Sequence, residues 1–281
     1  MKRAVILLLL LLSLAACNRA GGIISAEASP YQLLNSSADL SVGTSRLVLT
    51  LWDGPERLKD AQALAVSIHR LDEAGESAGQ IWEGEATSYT LDGTQYWVVY
   101  PEFPEANYYG VRAVVTTADG KRVENVALLD VKDAPAAPAI GAEVPHSQTR
   151  TLDDAPIEQL TSAPPYVERF YEMSVAEAAE SGKPSIIVFA TPGHCTTSLC
   201  SPVMDTVTTV SEEVGDSANV VHVEIWRDFS ADEVEPAISE WGLPSEPWVF
   251  VLDEQGKVAA RLDGLVGLDE LRGAVREVLG G

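Results

Sequence analysis

Cysteine is scarce: 281 residues hold three, Cys17, Cys195 and Cys200. That number excludes the disulfide-dense scaffold of a small secreted domain. Positive charge is scarce too, with 19 Lys and Arg against 42 Asp and Glu and a formal net charge of −23. The imbalance argues against nucleic acid and against adsorption to anionic lipid, because both are themselves negative. It equally suits the soluble surface of an exported protein. Beyond Cys17 no apolar run is long enough to cross a bilayer. Apolar side chains are plentiful, at 46% of the residues, enough for ordinary cores and too many for global disorder. The length suits two domains better than one.

The first seventeen residues carry the densest signal. Lys2 and Arg3 form a positive start, and Val5 to Leu12 form an apolar stretch too short to remain as a transmembrane helix. Leu14-Ala15-Ala16-Cys17 follows and resembles the lipobox of bacterial lipoproteins. The resemblance implies that residues 1–17 are a signal peptide ending at a lipidated Cys17, with the sulfur carrying diacylglycerol and the chain cut just before it. A chance Cys behind an ordinary signal peptide is the bland alternative. Two or three acyl chains anchor stably, since each buried methylene adds about 0.8 kcal/mol. The expected location is therefore the cell membrane, lipid-anchored and facing the extracytoplasmic side. Without Lys2 and Arg3 the chain keeps 17 basic and 42 acidic side chains, a charge of −25. In such a compartment disulfides persist, and Cys195 with Cys200 form the one close pair.

Composition then divides the chain. Residues 18–29 are small and polar, a tether. Residues 30–132 hold short β-type runs: Arg46 to Trp52, Ala65 to Leu71, a strand beginning at Gln80, Tyr96 to Tyr100, Tyr108 to Thr117, and Val123 to Val131. Asp92-Gly93 and Asp119-Gly120 read as hairpin turns. This spacing predicts an all-β immunoglobulin-like sandwich, without the cysteine pair that pins true immunoglobulin sheets. Residues 133–165 contain Pro135, Pro138, Pro145, Pro156, Pro164 and Pro165, and predict an extended linker that spaces two domains.

From residue 166 to 281 helices and strands alternate, predicting an α/β domain. Ser174 caps a helix through Ala179, and Ser185 to Ala190 is a buried strand. A helix from about Thr197 to Val214 follows, then a strand Asn219 to Trp226 and a helix Ala231 to Trp241. Strands Pro247 to Asp253 and Val258 to Leu265 and a helix Leu268 to Leu279 close the chain. That order, with Gly182-Lys183-Pro184-Ser185-Ile186-Ile187-Val188-Phe189-Ala190, Ser201-Pro202-Val203-Met204, Glu246-Pro247-Trp248-Val249-Phe250, Gly256-Lys257-Val258 and Asp263-Gly264, resembles thioredoxin. The chain departs from that family in its cysteines, which four residues separate instead of two. Counted without a gap from Phe189 to Pro202, His194 holds the usual nucleophile position and Cys195 follows it. Thr191-Pro192-Gly193-His194-Cys195-Thr196, with Cys200 five residues on, also partly resembles the peroxidatic loop of peroxiredoxin Q proteins. Its Thr lies one place too far away, and no Arg stands near Glu246-Pro247, which leaves thiol peroxidase as a secondary reading.

The resemblance implies a catalytic set of Cys195 as nucleophile, Cys200 as resolving thiol, Pro247 in a cis peptide shaping the facing wall, and His194 beside the pair. Cys195 is expected on the loop before a helix capped by Thr196 or Thr197, where unpaired N–H groups and the positive dipole end favour thiolate. His194, if protonated, adds to that. On a regular helix, residues five apart point about 140° from each other, so a disulfide requires Cys195 to lie off the helix. Two inert buried cysteines are the bland alternative. A metal reading gathers His194, Cys195, Cys200 and His222 around Cu(I), as in thioredoxin-fold copper chaperones. A structural His222 competes with it. Glu224 and Glu246 stand near core strands and either line the pocket or face solvent. The leading expectation is thus a membrane-anchored thiol–disulfide oxidoreductase without a cofactor, acting on protein thiols or disulfides. A non-enzymatic module, whose sandwich engages a protein partner, competes with it.

Overall fold

The computed structural model describes residues 29–162, 164–195 and 197–280. The expected leader, Cys17 and the expected tether to residue 28 lie outside the described residues, as does Thr196. Two four-strand antiparallel ladders make up most of the N-terminal half. One runs in the order Tyr31–Asn35, Leu47–Asp53, Thr94–Val99, Thr87–Leu91, and the other in the order Arg122–Val131, Asn107–Thr116, Ala63–Leu71, Ser77–Glu85. Alternation sets what lies between them. Leu64, Val66 and Ile68 from one strand and Val111, Ala113 and Val115 from its neighbour meet Leu47, Leu49, Leu51 and Trp97 of the facing sheet. Asp92 and Gly93 join two paired strands with φ of 45° and 71°, the left-handed pair that a two-residue hairpin requires.

The first of these sheets is covered on both faces. Leu47 to Leu51 are all buried, and Val48, Leu91, Tyr96 and Val98 turn away from the sandwich to join a second core. A continuous apolar run is what a doubly covered strand demands. That second core belongs to the α/β half, whose mixed sheet runs Asn219–Glu224, Ser185–Ala190, Trp248–Leu252, Val258–Asp263. The first two strands are parallel and the remaining pairs antiparallel. Helices Cys200–Val214 and Leu268–Val278 cover one face of it, and helices Val175–Glu180 and Pro236–Glu240 the other. Ser174 closes the first helix with a full capping box to Glu177. No helix among the described residues is long and apolar enough to cross a membrane.

Three expectations need correction. The helix expected over 231–241 shrinks to Pro236–Glu240, and Trp226–Asp228 instead pairs with Glu233–Val234. Pro236 holds the first helical position because its ring admits no helical turn before it. The helix expected from Thr197 starts at Cys200, since Ser198 has a φ of 60°, outside the right-handed helical region. Segment 133–165 is not a free spacer. Ala137 and Val144 sit in the core with Ala178 and Trp241, the Gly141 N–H donates to the Val258 carbonyl, and the Ser147 carbonyl accepts from Ala176. Ala137 and Val144 bury apolar surface, and the backbone finds partners on the α/β half.

Candidate functional site

Strand Ser185–Ala190 is buried at all six positions and delivers the chain into loop 191–199. Thr191 is fully buried at the end of that strand, and Gly193 follows in the open. The Gly193 N–H donates to Ser162 Oγ at 2.9 Å, which pins the proline-rich strap across the loop. A Cβ on Gly193 would stand 2.7 Å from the Ser162 Cβ and carbonyl oxygen, so this crossing requires glycine. Ser162 is held in turn by Glu224, whose Oε2 accepts from its N–H and its hydroxyl. Sequence reasoning missed the strap; the signal available was its hydroxyl-rich ending at Thr161-Ser162 beside a glycine loop.

Cys195 lies on the loop and Cys200 is the buried first residue of the 15-residue helix. Leu199 in the cap position offers no side-chain acceptor. The Cys200 N–H, a donor that the helix itself cannot satisfy, therefore goes to Cys195 Sγ at 3.4 Å. Thr197 Oγ1 lies 3.1 Å from the same sulfur. Both cysteines are free thiols. Burial works most strongly against ionising Cys195, but the Cys200 thiol, Thr197 and the two backbone N–H groups outweigh it and draw its pKa below the ordinary thiol value. Burial pushes Cys200 far above that value, and the same thiol–thiol hydrogen bond and the charge of Glu246 add to the rise. One sulfur is drawn toward the thiolate and its neighbour is held protonated.

The third group at these sulfurs is Glu246, ahead of the cis peptide to Pro247. Its carboxylate and both sulfurs lie within 4.8 Å of one another. Oε2 is buried and has no hydrogen-bond partner. Burial raises the Glu246 pKa, and the Cys200 thiol and the Thr191 N–H pull the other way. Pro247 is buried and its carbonyl accepts from Gly264. The histidines of the metal reading do not join this group. His222 is buried, with Nε2 3.0 Å from the Ala190 carbonyl and Nδ1 2.5 Å from the Tyr171 hydroxyl. A carbonyl accepts only, so Nε2 carries the proton and Nδ1 accepts from Tyr171; burial holds the ring below its ordinary pKa and neutral. His222 is a structural histidine. His194 is exposed and lines a cleft of about 630 Å3 with Arg150, Tyr166, Glu224 and Trp226. A second cleft, of about 430 Å3, meets the first at Ser162 and Gly193 and is lined by Pro164, Pro192 and Met204.

The asymmetry of the thiols has a direct readout. Limited iodoacetamide at neutral pH, followed by peptide mapping, is expected to label Cys195 at least tenfold faster than Cys200, because thiolate fraction and access both favour it. Equal labelling would mean that the Cys200 end of the helix is open in solution.

No protein-family model and no curated protein matches the chain. Among solved structures, a thioredoxin-family thiol:disulfide interchange protein from Chlorobium tepidum TLS is 17% identical, with a TM-score of 0.34, and the match covers 53% of this chain and 99% of that one. CopC from Methylosinus trichosporium OB3b is 19% identical, with a TM-score of 0.26, covering 37% of this chain and 94% of that one. Murine CRIg is 10% identical over 37% of this chain and 98% of its own, with a TM-score of 0.25.

Proposed function

We propose that this protein is a membrane-anchored thiol–disulfide exchange protein, built as an immunoglobulin-like sandwich beside a thioredoxin-like unit and tethered through Cys17. The observation that carries the redox reading is the Cys195 sulfur accepting the orphan N–H at the start of the helix, with the Cys200 thiol within 4.8 Å. In the proposed cycle the Cys195 thiolate attacks a substrate disulfide, forming a mixed disulfide and expelling one substrate thiolate. Cys200 then loses its proton and attacks the Cys195 sulfur, closing the intramolecular disulfide and releasing the second substrate thiolate. Two electrons pass to the substrate, and an external dithiol donor restores the pair. Pro247 forms the wall behind Glu246 in this reading, and His194 borders the cleft where a substrate peptide would lie.

The test is equilibration of the full chain in glutathione buffers of graded potential, quenched with an alkylating agent and read by mass spectrometry. The expected result is a single two-electron transition in which Cys195 and Cys200 lose reactivity together, with insulin reduction in the presence of a dithiol donor. A pair that stays dithiol across all buffers, or never reduces once closed, would overturn the proposal.

A further inference from the structure

We infer that the reduced site is also a binding site for a divalent thiophilic cation of the zinc class, held by Cys195, Cys200 and Glu246. This goes beyond the redox reading and does not depend on it. Three potential anions converge here, with all three ligand atoms within 4.8 Å of one another. The nearby donors are few: the helix start, the Cys200 thiol toward the carboxylate, and the Thr191 N–H toward both the Cys200 sulfur and the carboxylate. Glu246 Oε2 is buried and unpartnered, and in the same wall Thr191 Oγ1 is buried and unpartnered too. An orphaned buried carboxylate oxygen is costly unless something cationic meets it.

The donor set narrows the ion. Zinc accepts thiolate sulfur at about 2.3 Å and carboxylate oxygen at about 2.0–2.2 Å in one tetrahedral site, which places two sulfurs roughly 3.8 Å apart. The two sulfurs are at most 4.8 Å apart, so reaching that spacing takes no more than about an ångström. Cu(I) prefers sulfur and gains little from a carboxylate. Three protein ligands leave the fourth tetrahedral position open. Because bound ligands must be deprotonated, binding displaces the Cys200 proton, and closing the disulfide abolishes the site.

The experiment is anaerobic titration of the reduced full chain with Cd(II), read by the ultraviolet thiolate-to-metal band, and with Zn(II) against a chromophoric chelator. Wild type is expected to bind one ion per chain, and the oxidised chain none. E246Q is expected to weaken Zn(II) at least tenfold, and Cys200→Ser to abolish the Cd(II) band, which assigns the site to the pair and not to Cys17. Full-strength Zn(II) binding by E246Q, half an ion per chain, or no thiolate band in wild type would each overturn the inference. Far-ultraviolet circular dichroism of each variant separates a lost ligand from a lost fold. Reversible disulfide formation without Zn(II) binding sinks this inference and leaves the redox proposal standing. Zn(II) binding without a reversible disulfide does the opposite.

Discussion

Replacing Arg46 by Ala is expected to destabilise the folded chain by about 3–5 kcal/mol, the cost of leaving buried carboxylates without their cation. Arg46 immediately precedes the doubly covered strand and reaches out of the sandwich into the α/β half. Its Nε and Nη2 donate to the two oxygens of Glu270 at 2.7 and 2.8 Å, and Nη1 donates to Asp263 Oδ1 at 3.1 Å. The carbonyls of Asp263 and Leu265 accept as well. Tyr96 completes the set, donating to Glu270 Oε2 at 2.6 Å and accepting from the Gly267 N–H. Burial opposes the charge on Arg46, yet Glu270 and Asp263 outweigh it and hold the guanidinium pKa above its ordinary value. All three ionic side chains are at most 7% exposed, so water screens the interaction little. Urea unfolding of Arg46→Ala should show a lower midpoint. A triple variant Arg46→Met, Asp263→Asn, Glu270→Gln should recover much of the loss, because no charge is then left unpaired. If Arg46→Ala unfolds within 1 kcal/mol of wild type, the halves are not joined as described.

This junction also shows where the sequence stops being readable. Alternation and turn residues place most strands, because Ala63–Leu71 and Asn107–Thr116 each show one face to the core and the other to solvent. The run Leu47 to Leu51 reads as a strand but gives no hint of what covers its outer face, which is a property of the partner and not of the strand. Arg46 sits at the edge of that run, and Asp263 and Glu270 lie more than two hundred residues away, a pairing that no local period encodes. The strap fails for a related reason. Proline excludes helix and sheet ladder at Pro135, Pro138 and Pro145, but it does not exclude packing, and Ala137 and Val144 find the α/β core. At the site itself, Cys195 off the helix and Cys200 on its first turn follow from the geometry of a helix start. Glu246 was visible only as a polar residue beside a core strand. Its convergence on the two sulfurs needs the sheet to bring residue 246 beside residue 200.

Cys200→Ser is expected to trap substrate on Cys195, and Cys195→Ser to bind none. In wild type the mixed disulfide is expected to be short-lived, because the second sulfur lies within 4.8 Å of the first. A disulfide needs the sulfurs at about 2.05 Å, with a Cα separation near 5.5–6 Å. Closure therefore moves the loop toward the helix, and the loop is the side able to move: Cys200 is fully buried and carries the first turn, while Ser198 and the chain around Cys195 are open. Removing the Cys200 sulfur leaves attack on the substrate disulfide intact and deletes the step that releases the product. Incubated with a disulfide-bonded peptide, Cys200→Ser should gain one peptide mass on the Cys195 fragment, stable until a dithiol is added. Cys195→Ser should gain none, since Cys200 is buried and its pKa is pushed far up, so almost no thiolate is present to attack. Turnover with insulin should fall to the uncatalysed background in both, for opposite reasons. An adduct on Cys200 in the Cys195→Ser chain would reverse the two roles, and no adduct in either variant would leave the pair as a structural element with no exchange chemistry.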